Sequence, residues 1–168
     1  ALRARAAETG AGEILLVQCS ADALPFRSGS FDHVYSKAVL IHTRLELSVP
    51  ELHRTLRSGG TGAFLEPMTR NPLVNAYRRT LAPREWRTIT RYFAEPELEV
   101  FRKTFDRVEV SFHYLTAFLA FGWQFAIRVP VLFRGSLAVL DSVDRTLMKL
   151  MPSLNRYAWF AAIRGVKR

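Results

Sequence analysis

Hydrophobic residues fall in short runs divided by turn chemistry. Ile14 to Val17 is a continuous apolar run, the type of a strand buried on both faces. Val34 to Ile41 is a second such run, leading to a helix approach near His42, and Thr61 to Leu65 is a third, closed by Glu66-Pro67. Between the second and third, Ser48-Val49-Pro50-Glu51 reads as a capping box with Ser48 as N-cap. Val49, Leu52 and Leu56 then share one face of a short helix, and Gly59-Gly60 ends it. Arg27 to Ser30 is a turn, and residues 1–9 read as a helix tail stopped by Gly10 and Gly12.

The second half has a different texture. Residues 68–107 form a charged connector in which Asn71-Pro72 starts one helix and Glu97 to Phe105 forms another. Val108 to Phe112 alternates at period two and predicts a strand. Tyr114 to Phe133 is dense in Phe, Leu and Trp, but its uncharged core, Leu115 to Ile127, is shorter than a spanning helix requires. Leu140, Val143, Leu147 and Met151 predict the apolar face of a helix stopped by Pro152, and Tyr157 to Ile163 a closing buried strand.

Composition narrows the classes. With 168 residues and 49% hydrophobic content the chain can bury the core of one domain. A single cysteine, Cys19, excludes an internal disulfide or a cysteine-based zinc site and fits a reducing, cytoplasmic compartment. His33, His53 and His113 lack ligand spacing, so no metal site is expected. The net charge of +9 is spread along the chain with carboxylates between, without the basic clusters and interleaved aromatics of a nucleic-acid module.

Strand, helix and strand alternate through residues 14–65, which predicts an α/β domain with a mostly parallel sheet. Such sheets bind ligands beyond the C-terminal ends of their strands. The loops after Val17, Val39 and Leu65 should therefore share one edge, bringing together Ser20 to Asp22, His42 and Glu66.

The segments SADALPF, SGSFDHVYSKAVLIH and ELHRTLRSGGTGAFLEP together resemble class I S-adenosylmethionine-dependent methyltransferases, in particular the group that includes ubiquinone and menaquinone biosynthesis methyltransferases. The segments EPMTRNPLVNAYRRT and NRYAWFAAIRGVKR resemble parts of the same group. The resemblance implies a seven-stranded sheet in the order 3-2-1-4-5-7-6, the last strand antiparallel. Residues 14–20, 33–41, 61–66, 108–113 and 157–164 would be strands three to seven. The first strand with its Gly-rich loop, and the second with its acidic end, have no counterpart here. The expected fold is therefore a partial Rossmann-like methyltransferase sheet lacking its first two strands, a single domain over 1–168 truncated at its N-terminus. Residues 114–151 would be an apolar helical insertion or lid before the last strand. The run at 14–17 should lack its neighbour, and the edge of the strand at 34–41 should be open.

The resemblance also implies S-adenosylmethionine as cofactor. Ser20 would stand where the family has an adenine-binding Asp, with the Ala21 backbone N–H beside it; the alternative is a plain strand-end turn. Asp22 would follow at the next position, or be solvated or cap the turn. Leu24 and Phe26 would pack beside the adenine. Lys37 would line the cofactor or face solvent. On the substrate side, His42 is a candidate general base or a structural histidine, and Glu66 faces substrate or caps a helix. Methyl transfer asks the protein mainly to align a nucleophile and exclude water, so the sequence does not name the acceptor. The expected activity of the intact protein is methyl transfer to a small acceptor, of quinone-like or lipid type. The rival is a catalytically incompetent domain serving as an interaction or membrane-surface module, with peripheral membrane contact through 114–133. A different doubly wound nucleotide binder is the third alternative.

Overall fold

A computed structural model describes residues 15–82, 92–123 and 129–168. Four strands form one sheet: β1 (Phe31–Lys37), β2 (Leu56–Pro67), β3 (Arg107–His113) and β4 (Phe160–Val166), in the order β1-β2-β4-β3. β1 and β2 are parallel, and β4 runs antiparallel to both β2 and β3. This is the arrangement expected of strands four, five, seven and six. Among the described residues β1 is an edge strand, as expected of the 34–41 run.

β2 is longer than its apolar run because the chain enters extended backbone directly after the helix. Gly59 turns it with φ +77, a left-handed conformation that suits glycine. Helix α1 (Leu45–Thr55) links the two parallel strands. It begins at Leu45, not after Ser48. Ser48 is buried one turn inside, with its hydroxyl 2.8 Å from that of Thr43. Its expected capping partner Glu51 instead faces the loop at Leu24. Pro50 is thus interior to the helix.

Helix α2 (Pro72–Thr80) starts as the Asn-Pro pair predicts: Asn71 accepts from the Val74 N–H at 3.0 Å. The Asn71 amide donates to the carbonyls of Leu115 and Tyr157, tying both ends of the later insertion to this cap. Helix α3 (Glu95–Thr104) packs beside α1, and its Leu98 and Phe101 are fully buried. Phe101 meets Phe64 of β2 at a ring separation of 5.1 Å and Phe93 at 6.0 Å. Phe105 lies against the backbone of β4, where a Cβ on Gly165 would stand 2.6 Å from its ring, so that site needs glycine for close approach. These aromatics, with Leu40, Leu45, Val49, Leu56 and Ile163, make the core on one side of the sheet.

Two expectations fail. Residues 15–17 form no strand and are exposed, Leu15 by 76%. No described strand offers their backbone a ladder, and an apolar run alone does not make a strand. β1 also ends at Lys37, and Leu40–His42 form a short 3-10 turn in place of a longer buried strand.

Between β3 and β4 lie a 3-10 turn (Ala117–Ala120), helix α4 (Pro130–Leu150) and a second 3-10 turn (Pro152–Tyr157). Part of the 115–127 run falls outside the described residues. The buried side of α4 is set by Asp144 and Met148; Val143 and Met151, expected on the apolar face, are exposed. The reason is polar. Asp144 is fully buried and accepts from the Thr116 N–H and hydroxyl and from the Ala117 N–H, at 2.7–3.0 Å. These charge-assisted bonds fix the helix rotation that the apolar pattern left open. Among the described residues no helix is long and apolar enough to cross a membrane.

Replacing Asp144 with Ala orphans those donors. The expected loss of unfolding free energy in urea is about 2–4 kcal/mol. A loss below about 0.5 kcal/mol, the size of an ordinary surface substitution, would show that the contact does not hold the insertion.

Candidate functional site

Because β1 and β2 are parallel, the turns that follow them emerge at the same sheet edge. Ala38 leaves β1 with φ +51 and donates to the Leu65 carbonyl at 2.9 Å. A non-glycine residue in this region carries strain on the order of 1 kcal/mol. The bond that holds it comes from the next strand.

Glu66 completes the clamp. It is fully buried near the end of β2, and Oε1 accepts from the Leu40 N–H at 3.2 Å and from the Ser36 hydroxyl at 3.4 Å. The backbones of Val39 and Ile41 also face it. The carboxylate thus caps the turn at Leu40–His42 rather than facing open space. Oε2 is buried without a hydrogen bond. Burial pushes the Glu66 carboxyl above its usual 4.5, and the N–H donors offset part of the rise.

The segment from Ser20 to Phe26 lies along α1. The Ser20 hydroxyl accepts from the Asp22 N–H at 3.2 Å, and Ser20 bridges to Ala23. Asp22 caps the start of α1: it receives the Arg44 N–H at 3.3 Å and the Arg44 Nε at 2.9 Å. Leu24 donates its N–H to Glu51 Oε2 at 3.0 Å, and Arg54 donates to the carbonyls of Leu24 and Phe26. The Phe26 ring meets Phe31 edge-on at 5.0 Å. Arg54 and the Leu24 N–H hold the Glu51 carboxyl down to about 2. The Leu-Pro-Phe segment is therefore fastened to α1 by one ion pair, a role not legible in the capping-box reading.

Beyond the β1 and β2 ends, a cavity of about 230 Å³ is lined by Ala38, Ile41, His42 and Pro67 from the turns, and by Val74, Tyr77, Arg78, Tyr92, Trp159 and Phe160 from outside them. Of the candidates, His42 lines it. Glu66 stands behind it in the chain, one residue before Pro67. Ser20, Ala21, Asp22 and Leu24 do not line it, and neither does Lys37, which is exposed at the end of β1.

Arg78 was not among the predicted residues. It is 8% exposed, with Nη1 donating to the Met68 carbonyl at 3.0 Å and to the Asn75 side chain at 3.1 Å. Its guanidinium stacks 3.5 Å from the Tyr92 ring centroid. Burial pushes its pKa down, while Tyr92 acts in the opposite sense. The signal in the sequence was the helix start at Asn71-Pro72, which fixes the phase of Val74 and Arg78 at i, i+4 on the inner face. Among the described residues no group of three or more His, Cys, Asp or Glu is placed to hold a metal ion.

Exchanging Glu66 for Gln isolates its titration. A raised folded pKa makes the contribution full below pH 4.5 and lost as pH rises through the folded value. Wild type should therefore lose stability relative to Glu66→Gln as pH rises above 4.5, in urea melts taken across pH. Parallel stability curves for the two proteins would contradict the assignment.

Residues 1–64 match the methyltransferase domain family. No curated protein matches the sequence significantly. A S-adenosylmethionine-dependent methyltransferase from Thermotoga maritima is similar at 15% identity and a TM-score of 0.58, over 92% of this chain and 65% of that one. A geranyl diphosphate methyltransferase in complex with S-adenosylmethionine is similar at 15% identity and TM-score 0.57, over 99% of this chain and 63% of that one. The [4+2]-cyclase SpnF is similar at 17% identity and TM-score 0.53, over 98% of this chain and 60% of that one. The chain thus spans less than two thirds of these structural relatives. Its sheet and helices have the Rossmann-like fold of the class I S-adenosylmethionine-dependent methyltransferases, with the methyltransferase domain match lying at residues 1–64.

Proposed function

We propose that the intact protein transfers a methyl group from S-adenosylmethionine to a small acceptor held in the cavity beyond β1 and β2. The observation that carries this reading is the position of that cavity: it opens at the C-terminal ends of two parallel strands in a methyltransferase fold.

Ser20, Ala21 and Asp22 fit the adenine edge of the cofactor in part. The Ser20 hydroxyl already accepts from Asp22, yet a hydroxyl keeps a donor and a second lone pair. Asp22 is committed to Arg44, so its carboxylate serves the shape of the loop. When bound, S-adenosylmethionine supplies the electrophilic methyl group and the leaving group. The chain's own task is positioning. Glu66 and the strained Ala38 fix the turn that carries His42. His42 lines the cavity, where an imidazole can take a proton from an acceptor. Trp159, Phe160 and Tyr77 exclude water from the acceptor's apolar body. An acceptor with a ring or isoprenoid body, as in a quinone precursor or a lipid, suits these walls.

Calorimetry with S-adenosylhomocysteine separates the readings. The protein should bind it at micromolar concentration. Absence of binding would remove the methyltransferase reading and favour a non-catalytic module.

A further inference from the structure

The cavity holds one feature that an apolar acceptor does not need. Arg78 is buried in its wall, and an arginine remains charged in proteins. Several other arginines among the described residues are partnered by carboxylates: Arg44 by Asp22, Arg54 by Glu51, Arg57 by Asp32 and Arg102 by Glu95. Among the described residues no carboxylate pairs with Arg78. It meets a carbonyl, a side-chain amide and the face of Tyr92. Both hydrogen bonds leave from Nη1. A buried charge balanced only by neutral dipoles is costly to hold. Its planar fork is shaped for a bidentate anion.

The wider cavity at Arg70, Arg102 and Arg156 is the weaker candidate for such a ligand. Arg102 is already neutralised there by Glu95 and Glu99, and Glu95 itself lines the opening.

We propose that the acceptor carries an anionic oxygen group, a carboxylate or a phosphate, on an aromatic or apolar body, and that the guanidinium of Arg78 receives that group. The inference rests on the cavity being the acceptor site. It adds a specificity element: a neutral molecule of the same shape fills the walls but leaves the buried cation unpaired.

The test uses three ligands with one ring system: 2-naphthoate, 2-naphthyl phosphate and the neutral 2-naphthamide, titrated calorimetrically into the chain. At least one anion should bind about tenfold tighter than the amide, and the stronger of the two distinguishes carboxylate from phosphate recognition. Arg78→Gln should remove the preference and Arg78→Lys should keep part of it, both checked for folding by circular dichroism. The wild-type comparison requires no variant, so a misfolded substitution does not block the test. Equal binding of all three ligands overturns the proposal, as does an anion preference that survives in folded Arg78→Gln. S-adenosylhomocysteine binding by the gene product without anion preference removes this inference alone. Anion preference without S-adenosylhomocysteine binding upholds the anion site and removes the methyl-transfer reading.

Discussion

A strand hydrogen-bonded along both edges cannot slip without losing two ladders, and β2 is such a strand. Its parallel partner β1, from His33 onward, and its antiparallel partner β4 are registered to it residue by residue, Tyr35 to Ala63 and Ala63 to Arg164. The core aromatic Phe64 and the clamp Glu66 both sit on it, two positions apart, and therefore point to the same face. One stretch of backbone thus connects the packing of Phe101 and Phe105 to the geometry of the turn at Leu40–His42.

That connection gives the site its rigidity. Ala38 holds a left-handed conformation that an unrestrained chain would avoid, and Glu66 is a carboxylate kept from water. Each is tolerated because the other's neighbours are fixed. The Leu65 carbonyl holds Ala38, and the Leu40 N–H holds Glu66. The cavity beyond them has walls from α2, the segment at Tyr92 and the start of β4, so its shape is set by elements far apart in the chain. Asn71 draws these together by bonding the carbonyls of Leu115 and Tyr157.

Much of the sheet was legible in the sequence because period-two alternation and apolar runs report burial directly. Val108 to Phe112 lies within β3, and Thr61 to Leu65 within β2. The strand order followed from the family resemblance, which periodicity alone does not supply. Polar contacts between distant segments were not legible. The capping-box spacing at Ser48 and Glu51 was real, but Glu51 is bound to Leu24, 27 residues away. The apolar face of α4 was misplaced because Asp144, a residue that normally faces water, is the one turned inward. Arg78 was missed although the helix start at Asn71-Pro72 fixes its phase with Val74, because a charged residue on that face is ordinarily turned to water. Of the predicted site residues, His42 reaches the cavity. Glu66 supports it from behind, and Asp22 and Leu24 hold the loop beside α1.

The fold does not choose the chemistry: the structural relatives include a [4+2]-cyclase as well as methyltransferases. Methyl transfer by this protein therefore requires that cofactor and acceptor meet at the edge where β1 and β2 end. Hydrogen–deuterium exchange of the protein with and without S-adenosylhomocysteine tests it most directly. The amides of Ser20 to Ala23 and of Ala38 to His42 should slow on binding. Protection confined to the cavity at Asn155 and Arg156, with no change at those two segments, would contradict it.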